Sequence, residues 1–236
     1  MDFINVEFLI DTFFVALGGV PTTLLVALVT LLVSIPIAFF LALGRIYEVR
    51  IVNPLTKLYI SFVRGTPIIL QIFLIYSIMP IILTQYFEQY NIAIEVYDIH
   101  PIWYGFVIFI FNTTAGLVEI FRSALLTINK GQLEAAQSVG LSNTQAYIRI
   151  IIPQALVSAL PNLCTATVNL IKATSLGFAF SLQEITLRAK VAANVGYNYV
   201  EAYIDIFLVY LILCMLVEFA FKLLEKRIKI YKAIPA

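Results

Sequence analysis

Residues 18–43, GGVPTTLLVALVTLLVSIPIAFFLAL, run for 26 positions without an Asp, Glu, Lys, Arg or His. Wound as a helix this stretch is about 39 Å long, more than the roughly 30 Å hydrocarbon core of a bilayer. Nothing in it alternates with the two-residue period of a half-buried strand, and Pro21 and Pro36 are tolerated better in an apolar spanning helix than in a sheet. The stretch reads as a transmembrane helix, and it sets the frame for the rest of the chain.

Four more apolar stretches follow, at residues 59–83, 102–125, 155–176 and 202–224. The second carries Arg64 near its start. The third opens on Trp103 and Tyr104, a pair suited to a membrane interface. The fourth is punctuated by Pro161, Asn162, Asn169 and Lys172, and the fifth is the plainest. The expected fold is therefore all-α and polytopic, with about five transmembrane helices, and residues 1–236 read as a single transmembrane domain. Composition agrees: 61% of residues are hydrophobic, 12% are charged and the mean hydropathy is +0.96. Soluble domains carry about 45–50% apolar and about 25% charged residues, so this chain could not keep its surface in water. The net charge of +1 says little as a total; membrane lipid is an expected partner and nucleic acid is not. His100 is the only histidine, which excludes a multi-histidine metal site within the chain. Cys164 and Cys214 lie in apolar runs and read as small hydrophobes, not as a bridge.

The positions of Lys and Arg set the expected orientation, because short cytoplasmic loops retain positive charge. The segment before the first span has none, and the loop between the second and third carries Glu88, Glu95 and Asp98 without a cation. The opposite side holds Arg45, Arg50, Lys57, Arg122, Lys130 and Arg149, and the tail, residues 222–236, adds Lys222, Lys226, Arg227, Lys229 and Lys232. Only Arg188 and Lys190 break the pattern. The N-terminus is expected outside, and the loop at residues 126–154 and the C-terminus inside. The acidic start, with Asp2, Glu7 and Asp11, argues against a cleaved signal peptide. Residues 1–17 are expected as an outer interfacial segment, its helix lying along the membrane surface; the alternative is an extension of the first span.

The cytoplasmic loop contains QLEAAQSVGLSNTQAYIRIIIP at residues 132–153. A helical composition over 131–139 stops at Gly140, and Ser142 can cap a second helix whose first turn holds Asn143, Thr144 and Gln145. Glycine suits such a turn because it reaches left-handed backbone angles without steric cost. Ala135 and Ala136 keep one face small enough for another surface to approach closely. A helix, a glycine turn and a helix exposed to the cytoplasm are what a docking element for a soluble partner requires.

Glu134-Ala135-Ala136, then Gly140, then Ile150-Ile151-Ile152-Pro153 resembles the EAA motif of bacterial ABC import permeases, with Ile152 where the family pattern has Leu. Phe62-Val63-Arg64-Gly65-Thr66-Pro67 resembles the RGTP segment of the polar amino acid branch, and Glu119-Ile120-Phe121-Arg122-Ser123-Ala124 its EIFRSA-like segment. Leu170-Ile171-Lys172-Ala173-Thr174-Ser175-Leu176 resembles that branch's IKDTSL segment, with Ala173 replacing the commoner Asp. Together with Glu184, Ala189-Lys190 and Glu201-Ala202-Tyr203, this version is similar to cystine-type members. The resemblance implies a type I ABC importer permease in a bacterial cytoplasmic (inner) membrane, carrying a polar amino acid. It also implies three partners: a separate ATPase subunit that binds ATP and Mg and docks on the loop, a second copy or a homologous permease, and an extracytoplasmic substrate-binding protein. Coupling to the ATPase would fall to Glu134, Ala135, Ala136, Gly140, Ile150 and Pro153.

Polar side chains at membrane depth are costly, so each calls for a role. Arg64 and Glu119 could pair with each other, and Glu119 also has Arg122 three residues on; the alternatives are helix packing and a place in the substrate path. Lys172, beside Asn169 and Thr174, could offer a donor to a substrate carboxylate or pack against a partner permease. Asn112 and Thr113 are substrate-path candidates or interhelical glue. No G-x-x-x-x-G-K-[ST] motif is present, and no convergent catalytic set, so catalysis is not expected in this chain. An ion-gradient-driven secondary transporter is the alternative, but no internal repeat supports it and the loop would go unexplained.

Overall fold

The computed structural model describes residues 4–232, with side chains described through residue 228. The side chains of Asp2, Lys229 and Lys232, counted above for orientation, lie outside the described residues. Among the described residues the chain is helical throughout: α1 (Val6–Leu17), α2 (Val20–Ile46), α3 (Val52–Gly65), α4 (Ile68–Gln89), α5 (Pro101–Leu126), α6 (Lys130–Ser138), α7 (Asn143–Ala146), α8 (Ile152–Thr174), α9 (Ile185–Ala193) and α10 (Tyr199–Lys232). Among the described residues five stretches are long and apolar enough to cross a membrane: Val6–Ile46, Ile68–Gln89, Pro101–Leu126, Asn143–Phe180 and Tyr199–Ile228.

The polarity of the bundle is that of a lipid-embedded protein. The buried face of α2 consists of Thr23, Val26, Ala27, Thr30, Ser34, Ala38 and Ala42, spaced three or four apart and nearly all small. Its large side chains, among them Leu28, Leu32 and Phe40, point outward. Apolar burial gives no net drive inside a hydrocarbon solvent, so helices associate by close approach of small residues. That stripe seats α2 against α5, with Ser34 Oγ donating to Ile110 O at 3.4 Å and Arg45 pairing with Glu119. Residue numbers rise together along that interface, so α2 and α5 run parallel. The α5–α8 pair runs antiparallel, with Thr127 Oγ1 and Ser158 Oγ 3.2 Å apart at one end, and so does α8–α10, with Thr174 Oγ1 3.3 Å from Tyr210 Oη. The result gathers Arg45, Arg122 and the 126–154 loop at one end, hereafter the basic end.

The second span departs from the continuous helix expected over 59–83. Thr66 is extended (φ −122°, ψ 141°) and Pro67 caps a new helix, so the membrane-crossing stretch is α4, and α3 before the break is a separate helix. A residue before proline is driven out of the helical region by the ring, which is why the helix stops where it does. Thr56, Ile60 and Val63 of α3 are buried, with Ile60 and Val63 packing among Ala38, Ala42, Ala115 and Val118, so α3 lies against the basic halves of α2 and α5. The fourth stretch is longer than the expected 155–176: Pro161 sits inside a continuous α8.

Helix α1, capped by Asn5, is separate from α2 and packs on α9 and α10, elements that α2 barely meets. Asn5 N–H donates to Glu201 Oε1 at 2.8 Å, and Thr12 and Ala16 are buried. The short helix α9 was not foreseen. Glu184 caps it, accepting from Thr186 N–H at 2.8 Å and Leu187 N–H at 2.9 Å. The two cations that broke the charge pattern are used locally here: Lys190 Nζ lies 4.0 Å over the Phe178 ring, and the Arg188 guanidinium lies beside Gly18. Both cysteines are free.

Candidate functional site

Two features of the bundle could do work: an exposed helical turn at the basic end and a polar cavity between α5 and α8. The turn forms as its residues dictate. Helix α6 closes with Gly140 N–H on Gln137 O at 2.9 Å and Leu141 N–H on Ala136 O at 3.1 Å, a Schellman pair. That geometry requires a positive φ at Gly140, which is +87°. Ser142 then starts α7 with a reciprocal capping box to Gln145, and the chain passes through a π-turn at Tyr147–Ile151 into α8. Glu134, Ala135, Val139 and Gly140 are exposed, and Ala136 is buried. The two alanines thus have different jobs: Ala136 lets α6 lie close to its own returning limb, and Ala135 faces out. Ile150 is half-buried and Pro153 exposed. Tyr47 Oη donates to Tyr147 Oη at 2.7 Å, which ties the end of α2 to this loop.

The cavity, about 330 Å³, is within the usual range for small-ligand sites. Asn112 and Thr113 face it from α5, and Asn162, Thr165 and Asn169 from α8. No charged side chain lines it, because position 173 on the same α8 face is Ala. Neutral amides and hydroxyls can donate and accept, so the cavity can hold a solute that carries both signs of charge without net charge. Of the sequence candidates, Asn112, Thr113 and Asn169 are brought together here. Lys172 is on the other flank of α8, in a cleft of about 310 Å³ toward α10 beside Glu218 and Lys222; Asn169 and Thr165 line both spaces. Thr174 is fully buried away from the cavity, bonded to Ile171 O and Tyr210 Oη.

At the basic end Glu119 joins Arg45 and Arg122, the latter at 3.2 Å. The pairing with Arg64 that the sequence allowed is made by Arg45 instead. Arg64 is exposed, facing an open space of about 500 Å³ that Arg45, Lys57 and Glu119 also border. Arg45 was counted only as a loop cation, and its place in the last turn of α2 was the available clue. Gln71 was missed altogether, although a lone amide four residues after a proline, in an otherwise apolar run, is a visible signal. Its Nε2 reaches Val63 O, Thr66 O and Thr66 Oγ1, and its Oε1 accepts from Asn112 Nδ2 at 3.0 Å. Glu184, outside the five spans, also takes Tyr210 Oη–H at 2.7 Å; burial pushes its carboxyl up to about 7 against the pull of these donors.

Polar groups at membrane depth that face an open cavity, instead of satisfying one another, give this bundle the character of a permease. The family comparison agrees: residues 34–230 match the model of the binding-protein-dependent transport system inner membrane component, and the chain belongs to that family. It is 37% identical over 209 residues to the L-cystine transport system permease protein TcyL of Bacillus subtilis (strain 168), covering 89% of this chain and 85% of that protein. With the octopine transport system permease protein OccM of Rhizobium radiobacter it shares 33% over 218 residues, 92% of this chain and 87% of that one. Among solved structures, a crystal structure of an amino acid ABC transporter with histidines superposes with a TM-score of 0.73 at 25% identity, covering 90% of this chain and 94% of that one. An inward-facing form of the MetNI methionine ABC transporter shares the fold, with a TM-score of 0.67 at 16% identity over 94% of this chain and 97% of that one.

Proposed function

We propose that this chain forms half of the translocation path of an ATP-driven importer for a zwitterionic amino acid, with L-cystine the first candidate. The charge-free polar cavity between α5 and α8 carries the substrate reading, and the name of the B. subtilis relative points to cystine. The basic end faces the cytoplasm and the N-terminus faces out, following the positive-inside rule. Glu134, Ala135, Gly140 and the α7–α8 limb with Ile150 and Pro153 receive a separate ATPase that holds ATP and Mg. A second permease chain completes the path, and an extracytoplasmic binding protein delivers the substrate. Closure of the ATPases moves the docked turn, and through the loop–α8 continuity and the Tyr47–Tyr147 contact the motion reaches the spans around the cavity.

The test is uptake of a radiolabelled amino acid panel that includes cystine, in cells with and without the gene and with and without ATP depletion. Gene-dependent, ATP-dependent uptake of one zwitterion is the expected result. Uptake that survives ATP depletion and collapses with the ion gradient would overturn the reading. Docking is tested separately with Gly140→Asp and Gly140→Ala. A Cβ at Gly140 meets nothing within 4 Å, so both variants start from open space, and Gly140 itself is exposed. Both bear a left-handed backbone penalty of about 1–2 kcal/mol, smaller for Asp than for Ala. A partner seated on the turn reverses that order, with Asp losing about tenfold more ATPase on co-purification than Ala. Normal co-purification and uptake in both variants would remove the docking assignment.

A further inference from the structure

The helix break at Thr66–Pro67 leaves backbone carbonyls that no helical N–H can reach. The partner of Val63 O would be the N–H of residue 67, and proline has none. Unsatisfied carbonyls inside an apolar bundle are strongly unfavourable, and neighbouring side chains must take them up. Gln71 does so: Nε2 lies 2.9 Å from Val63 O, 3.1 Å from Thr66 O and 2.8 Å from Thr66 Oγ1. The hydroxyl of Thr66 itself donates to Phe62 O at 2.8 Å, so toward Gln71 it can only accept. All three groups around that end of the amide are acceptors, which fixes the nitrogen there and turns Oε1 the other way. Oε1 meets Asn112 at 3.0 Å, and since it can only accept, the Asn112 amide must present Nδ2 to it.

We infer that Gln71 is a positioning residue that holds Asn112 with its acceptor, Oδ1, toward the cavity, where it receives the ammonium group of an amino acid. This rests on the reading of the cavity as the substrate path. Gln71 is buried and does not line the cavity, so it acts only through Asn112. An isolated asparagine could offer its NH₂ or its oxygen with little preference. Here a proline and a glutamine on the second span remove that choice for a side chain on the third. The cavity contains no carboxylate, so an oriented amide oxygen is the kind of group left to meet a cationic end.

The experiment uses the whole importer, with its ATPase and binding protein, in proteoliposomes. It reads KM and maximal rate for the labelled amino acid identified by the uptake panel, L-cystine first. Gln71→Met keeps length and removes the amide. The expected result is a rise in KM of about tenfold with a maximal rate within about twofold, the same rise for Asn112→Ala, and no further rise in the double variant. Asn112→Asp presents an oxygen to the cavity whichever way the group turns, so Gln71→Met should raise KM little in that background. A structural role for Gln71 would not produce that rescue. If Asn112→Ala raises KM and Gln71→Met does not, or the two effects add, the positioning role is wrong and the cavity reading survives. If Asn112→Ala leaves KM unchanged, the cavity reading itself falls. Gln71→Ser, whose vacated space a water can fill, is the second variant should Gln71→Met not accumulate in the membrane.

Discussion

Gly18 and Gly19 are adjacent, both helical in φ and ψ, yet alanine should affect them very differently. A Cβ on Gly19 would sit 2.4 Å from Ile185 N and 2.6 Å from Glu184 C, both backbone atoms at the start of α9. Non-bonded contacts settle near 3.5–4.0 Å, so the α1–α2 corner and α9 would have to separate by roughly 1 Å. Overpacking of this kind costs about 1–3 kcal/mol, offset by up to about 1 kcal/mol of improved helix propensity. At Gly18 the nearest atom, 2.7 Å away, is the tip of the Arg188 side chain, which can swing aside. Gly18→Ala should therefore stay within about 0.5 kcal/mol of the parent or gain slightly. Thermal unfolding of the purified protein in detergent, followed by the loss of the monodisperse size-exclusion peak, reads the difference. Gly19→Ala should melt about 2–8 °C lower and Gly18→Ala within about 2 °C. Equal melting of Gly19→Ala and the parent would refute the close packing of α1–α2 on α9.

Glu119→Gln removes the counter-charge from Arg45, whose side chain is only 11% exposed, and should cost about 1.5–3 kcal/mol, whereas Arg64→Ala, at an exposed position, should change stability by less than about 0.5 kcal/mol. The same melting assay ranks the two, and an Arg64 variant as damaged as the Glu119 variant would move the ion pair back to Arg64. Glu184, with a carboxyl pushed up to about 7 when folded against about 4.5 in the unfolded chain, binds more protons folded than unfolded between those values. Its stabilising contribution is therefore full below about pH 4.5 and is lost as pH rises to about 7. The melting temperature of the parent relative to Glu184→Gln should fall across that window and level off above it; a flat difference would show that the carboxyl is ionised throughout.

The span count was legible because length and apolarity are summed over some twenty residues and no single substitution hides them. The helical turn was legible for the opposite reason: Gly140, Ser142 and Gln145 act on their own backbone within a few residues. Thr66–Pro67 carried an equally local signal, yet the apolar run around it masked the break until the extended backbone at Thr66 was seen. Helix α9 lacked a comparable signal, since its hydropathy is modest and its place depends on Glu184, α1 and α10. Partner choice was the least legible. Glu119 had Arg64 and Arg122 as candidate partners; Arg122 does pair with it, but the parallel seating of α2 on α5 puts Arg45, and not Arg64, at its other oxygen. Asn112, Thr113 and Asn169 could each be named, but only packing of α5 against α8 showed that they share a cavity and that Lys172 and Thr174 face elsewhere.

The arrangement at Pro67 and Gln71 also constrains how such a sequence can drift. A lineage that replaces Pro67 with a residue carrying an N–H can return that group to Val63 O, and the Gln71 amide keeps Thr66 O and Thr66 Oγ1 for its two hydrogens. A lineage that loses Gln71 first strands the carbonyl instead, at about 1–3 kcal/mol. Pro67 can therefore be replaced while Gln71 stands, but Gln71 cannot be lost without cost while Pro67 stands, so the order of the two changes is fixed.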